Sequence, residues 1–142
     1  MAMHQAAHWE HFEHVADMGV RGFGPTPAEA FSQAALAMTA TICEPDSINP
    51  RTAVPFELED DDLDYLLLDW LNALVYEMAT RRMLFGRFEV AIEDGQLRAT
   101  AWGEPVDVAR HQPAVEVKGA TLTELSVQQI GDQWVAQCVI DV

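Results

Sequence analysis

Between residues 63 and 78 the apolar residues Leu63, Leu66, Leu67, Trp70, Leu71, Leu74, Val75 and Met78 recur at helical spacing. Such a pattern makes one broad greasy face, which a helix must bury against something else. The run Glu59-Asp60-Asp61-Asp62 just before it supplies carboxylates where the helix dipole favours them, and Arg81 and Arg82 close it with cations. A second helix is announced by local chemistry. Thr26 suits an N-cap, Pro27 the first helical position, and Glu29 completes a capping box. Phe31, Ala34, Ala35, Met38 and Ile42 follow at helical spacing, and Pro45 sets the limit.

The rest of the chain reads as strand. Phe12 onward predicts a strand, a tight turn near Ala16-Asp17 and a second strand, with glycines at 19, 22 and 24 marking a bulge or close backbone approach. A short strand is expected at 53–58. Phe88, Val90 and Ile92 alternate with other residues, Asp94-Gly95 is a two-residue hairpin turn, and Leu97, Ala99 and Ala101 return. A loop is expected from Gly103 through Pro113, then strands at 115–118, 121–127 and 134–141 around a turn at Gly131-Asp132. Strands, two helices and more strands give an α+β fold: a single-domain sandwich, mostly antiparallel, with two amphipathic helices packed on one face. Residues 1–9 show no pattern and are expected as a flexible tail, leaving 10–142 as the domain.

Charge narrows the function. Eight basic residues face 23 acidic ones, for a net charge of −15. Nucleic-acid binders neutralise phosphates with Lys and Arg, so strong direct nucleic-acid binding is not expected. A basic protein partner or cations fit better. No apolar run approaches the roughly 20 residues of a membrane span, and the histidine-bearing start has no signal-peptide character. The expected compartment is the cytoplasm, without membrane association. Cys43 and Cys138 stand alone and read as two buried thiols.

No nucleophile elbow, P-loop or zincin motif is present, so the chain is not expected to be an enzyme. His4 with His8, and His11 with His14, have spacings that bind zinc on a helix. Their segment enters a strand, which argues against such a site. Asp17 sits in a glycine-flanked apolar turn, and Asp141 lies on the last strand beside Val142. Oxygen donors of this kind suit hard cations, but spacing alone does not bring residues 17 and 141 together. Taken singly, Asp17 is a turn or cap residue and Asp141 a frayed end.

Four segments carry a resemblance that spans residues 12–142. They are His14-Val15-Ala16-Asp17-Met18-Gly19 with the Thr26-Pro27 helix start; Leu68-Asp69-Trp70-Leu71-Asn72-Ala73-Leu74; Ala101-Trp102-Gly103-Glu104-Pro105-Val106-Asp107 with His111 after it; and Glu116-Val117-Lys118-Gly119-Ala120-Thr121, with Asp141-Val142 closing the sequence. In this order they resemble the archeases, which assist the RtcB-type RNA ligase of tRNA splicing and RNA repair. The resemblance implies that Asp17 and Asp141 together bind a divalent cation, with an oxygen of Val142 added. Calcium is the first candidate, magnesium and manganese the next. It also implies that Lys118 is functional and that the role is to promote ligase guanylylation and multiple turnover. A histidine frequent in the family after the Lys118 segment is replaced by Thr123. Trp70 reads as core, and Asp69 as a buried hydrogen-bonding group. A general chaperone or modulator of nucleic-acid enzymes stays open, as does a metal-dependent hydrolase.

Overall fold

The structure, a computed structural model, describes residues 6–14 and 17–142. His4, and Ala16 of the expected turn, lie outside the described residues. Helix α1 (Pro27–Ile42) begins as its local chemistry requires: Thr26 Oγ1 accepts the N–H of Glu29 at 3.2 Å, and Pro27 takes the first position. Cys43 caps its end, and Pro45 opens a short 3-10 turn. Helix α2 (Leu63–Arg81) is capped by the Asp62 carboxylate and stopped by Arg82 in the left-handed region, at φ 55°. Leu66, Leu67, Trp70, Leu71 and Leu74 are buried, with Leu63, Val75 and Met78 packed at the margin. Asp69 departs from expectation, being exposed on the opposite side of α2.

All strand pairings are antiparallel, and the strands divide into two sheets. One holds β1 (His8–His14), β2 (Asp17–Gly24), β8 (Gln133–Asp141), β6 (Gly119–Ala120) and β7 (Ser126–Ile130), the last two both paired to β8. The other runs in the order β3 (Thr52–Glu59), β5 (Gln96–Pro105), β4 (Met83–Glu93). The division follows from α1. Ala30, Phe31, Ala34, Ala35, Ala37 and Met38 are all buried, so this helix is apolar over most of its circumference and needs cover on more than one side. It packs on β2 and β8 in one sheet and on β4 in the other. Gly22 permits the close approach, since a side chain there would collide with the Ala30 carbonyl and the Ala34 amide. Trp70 joins the two helices by donating from Nε1 to the Phe31 carbonyl at 3.1 Å, and it meets Phe56 and Phe88 edge-on.

Several expected boundaries shift. Strand β1 takes in His8 and Trp9, so the sheet extends into the stretch read as tail. The expected loop after residue 103 is partly regular. Gly103, Glu104 and Pro105 finish β5, and Val108–His111 forms a one-turn helix α3 capped by Asp107. Residues 115–118 form no strand. The strand expected at 121–127 is broken by a turn in which Leu125 N–H bonds to Leu122 O and Glu124 adopts φ 58°. Pairing resumes only at Ser126. The hairpin at Asp94-Gly95 is as read, with both residues at positive φ. Both cysteines are free and buried, and burial pushes the Cys138 thiol up to about 12. Among the described residues no helix is long and apolar enough to cross a membrane.

Candidate metal and partner site

Strand register decides whether Asp17 and Asp141 meet. β2 pairs with β8 so that Met18 faces Ile140 and Val20 faces Cys138. Carried one residue further, that register sets Asp17 directly across from Asp141. On the far side of β2, His14 pairs with Asp17; on the far side of β8, Gly119 pairs with Asp141. Directly opposed residues of antiparallel strands share a sheet face, so His14, Asp17 and Asp141 form one row. Side chains alternate along a strand. Gly22 faces α1, so Asp17 faces away from it. Residues 17 and 141, far apart in sequence, thus reach one corner of the first sheet.

Lys118 arrives by its backbone. Its N–H donates to the Asp141 carbonyl at 2.8 Å, while its side chain is exposed. It is the single lysine of the chain, and among the described residues its ammonium has no ion pair. Val142 follows Asp141 and, by alternation, turns its side chain to the core, against which it is partly buried. Only its oxygens are available to a cation. Nδ1 of His14 is buried and has no hydrogen-bond partner among the described residues. Two like-charged side chains directly opposed across a ladder repel, and a cation between them would remove that cost. Hard divalent cations take six to eight oxygen donors. Among the described residues no group of three His, Cys, Asp or Glu could hold a metal ion. Asp17, Asp141 and a Val142 oxygen are the groups here that could contribute to such a shell, and they do not complete it among the described residues.

His8 and His11 serve the fold. In a strand, residues three apart lie on opposite faces, so His11 and His14 cannot converge as on a helix. His8 stacks on Phe23 at 4.1 Å, and His11 Nε2 lies 2.8 Å from the Ala37 carbonyl of α1.

A second polar cluster gives no warning in spacing or pattern. Glu104, only 3% exposed, ends β5 beside the equally buried His111 of α3. Its Oε2 receives the Asn49 N–H at 2.8 Å, Arg110 at 2.8 Å and His111 Nε2 at 2.9 Å. Nδ1 of His111 accepts the Asp107 N–H at 2.9 Å, which leaves Nε2 as the protonated nitrogen. The Asn49 bond, helped by His111 and Arg110 against the opposing effect of burial, holds the Glu104 carboxyl down at about 2. A Glu–His pair resembles an acid–base couple. Here both ring nitrogens are engaged and the pair is buried, so it acts as a clamp between the 44–51 loop and α3. In sequence Glu104, Asp107 and His111 stand within one segment of the resemblance, but nothing there ties them to Asn49, which comes from a different loop.

Comparison with known proteins agrees with this architecture. Residues 9–142 match the family model described as the Archease protein family (MTH1598/TM1083). The chain is 40% identical to Protein archease of Pyrococcus furiosus, over 94% of this chain and 98% of that one. It is 37% identical to Protein archease of Methanopyrus kandleri, again over 94% and 98%. The solution structure of protein 1598 of Methanobacterium thermoautotrophicum superposes with a TM-score of 0.84 at 28% identity, covering 94% of this chain and 98% of that chain. An archease from Thermotoga maritima, described as a possible chaperone, shares the fold at a TM-score of 0.65 and 17% identity, covering 100% and 99%. On the strength of a match over nearly its whole length, the chain belongs to the archease family.

Proposed function

We propose that this protein is a metal-binding cofactor of an RtcB-type RNA ligase, promoting guanylylation of the ligase and its multiple turnover. The observation that carries the reading is the cross-strand row in which the register sets Asp17 against Asp141, with Lys118 bonded to the same strand end. A divalent cation, calcium, magnesium or manganese, bound there would neutralise the carboxylate pair and supply positive charge for phosphate or nucleotide oxygens. The chain's own residues do the rest. Asp17 and Asp141 hold oxygen donors at fixed spacing on two paired strands, and Val142 adds a main-chain oxygen. Lys118 offers an unpaired ammonium on a strongly acidic surface, suited to a phosphate or a carboxylate of the ligase. The net charge of −15 favours encounter with a basic partner and disfavours competition for the RNA itself.

A reconstituted ligation assay tests this, using ends bearing 3′-phosphate and 5′-hydroxyl groups with ligase in substoichiometric amount. Wild-type protein should support many turnovers per ligase. Asp17→Ala and Asp141→Ala should each reduce the reaction to about one. Full turnover with both variants would exclude the metal-site role.

A further inference from the structure

The first half of β4 is shielded at its free edge and the second half is not. Thr39 of α1 donates to the Phe85 carbonyl at 2.8 Å, and Ser32 donates to the Phe88 carbonyl at 3.1 Å. The carbonyl of Phe88 therefore points off the side of β4 away from β5. Main-chain groups of antiparallel strands alternate in direction, so the N–H and C=O of Val90 and Ile92 point the same way. Among the described residues nothing bonds to them. The opposite edge of this sheet, β3, is differently guarded: Pro55 lies in it and has no N–H to offer. Beside the open half of β4 lies a crevice of about 600 Å³ between the start of α1 and the sheet. On the sheet side it is lined by residues of all three strands, among them Phe56, Ala99 and Val90, and on the helix side by Ala28, Glu29 and Ser32. The side of β4 facing away from α1 carries Glu89, Ala91 and Glu93, all exposed, with Asp94 at the turn and Glu29 at the crevice mouth. The nearby cations are Arg87, 3.5 Å from Glu89, and Arg98, 3.9 Å from Glu57, pairs that are mostly exposed and weak.

We infer that the open edge of β4, from Val90 to Ile92, takes up an extended segment of a basic partner protein as an added strand. The main chain of Val90 and Ile92 supplies the hydrogen bonds, the crevice between the start of α1 and β4 takes an apolar side chain, and Glu89 and Glu93 face Lys or Arg at alternate positions. Charge chooses the occupant. A second copy of this chain would bring another net −15 and would be repelled. An acidic edge deters acidic strands and admits basic ones. This inference stands apart from the metal site, which lies on the other sheet.

The probe is a seven-residue peptide alternating lysine with valine, blocked at both ends, titrated into the full chain and followed by amide NMR and hydrogen exchange. The Val90 and Ile92 amides should shift, and their exchange should slow by roughly tenfold at saturation. A peptide with glutamate in place of lysine should do neither, and a peptide of the same composition with its lysines grouped should bind more weakly. Val90→Pro removes an edge donor and should abolish the response. Glu89→Lys with Glu93→Lys, which leaves the core untouched, should abolish it and transfer preference to the glutamate peptide. Shifts confined to the acidic residues at 59–64, unchanged Val90 and Ile92 amides, absence of binding, equal binding of both peptides or a dimer in sedimentation would each overturn the proposal.

Discussion

Glu104 and the Asp17–Asp141 pair are carboxylates at strand ends, yet they are in opposite condition. Glu104 is buried under the Asn49 N–H, His111 and Arg110. Asp17 and Asp141 stand opposite one another with no cationic side chain paired to either among the described residues. A buried carboxylate this well supplied with donors belongs to the fold. An opposed pair with none is poised for something the chain does not itself provide. The difference also explains why the Glu–His couple, the more enzyme-like of the two clusters, is the less available for chemistry.

The sharpest way to break the comparison is to exchange the fates of the two sites. Glu104→Leu removes the acceptor of the Asn49 N–H and of the exposed Arg110 guanidinium, and strands the His111 N–H in a buried place. Melting should fall by roughly 10 °C or more, while metal affinity at the Asp17 corner stays as in the wild type. Thermal denaturation and metal titration of one sample check both halves. A loss of metal binding in folded Glu104→Leu would mean that the two clusters are coupled.

Metal addition is the next effect in size. At a concentration about a hundredfold above its dissociation constant, a cation that binds only the folded state adds about 2.7 kcal/mol. Calcium or manganese should therefore raise the melting temperature of the wild type, and a chelator should reverse the rise. Asp17→Asn and Asp141→Asn should lose the response. Without metal each should be slightly more stable than the wild type, by about 0.2–1 kcal/mol, because the cross-strand repulsion is gone. Variants that keep the full metal response would refute the assignment of that row.

Acid tests the Glu104 cluster. Glu104 is held at about 2, below its ordinary 4.5. The stabilisation from this group is complete above pH 4.5 and is lost as pH falls toward 2. Urea midpoints measured from pH 5 down to pH 2 should decline in the wild type and decline less steeply in Glu104→Gln. Parallel curves would show that other carboxylates govern acid unfolding.

The contrast between the clusters also marks what could be read from sequence. Helix α1 was legible because a Thr-Pro start and a threonine cap are local chemistry, complete within four residues. The β4–β5 hairpin was legible because Asp94-Gly95 suits the positive φ that a tight turn needs. Beyond the hairpin, local signals failed at Glu124, whose positive φ breaks a stretch with apolar alternation. The Asp17–Asp141 row depends on the register of two strands from opposite ends of the chain, which no spacing encodes; only the family resemblance linked them. The resemblance grouped Glu104 with His111, but the clamp was not legible because its main donor is the backbone N–H of Asn49, a group every residue but proline possesses. The division into two sheets was latent in α1, whose alanines are buried nearly all round.

Lys118 should give the smallest change in stability and so sharpens the comparison most finely. Folding uses its backbone, through the N–H bonded to the Asp141 carbonyl, and not its exposed side chain. In a chain with 23 acidic residues, an ammonium without an internal partner contributes little to the folded state. Lys118→Ala should therefore alter unfolding free energy by less than about 0.5 kcal/mol, with metal binding retained because the main-chain bond survives. If this side chain contacts the ligase, the same variant should lose ligase stimulation, and Lys118→Arg should recover only part of it, since a guanidinium spreads the charge over a planar fork. Because Lys118 is the single lysine, amine-directed labelling of the wild type gives an independent readout: bound ligase should shield its ε-amine, beyond any signal from the N-terminal amine. Labelling at the same rate with and without ligase, together with full stimulation by Lys118→Ala, would reduce this residue to a backbone support for Asp141.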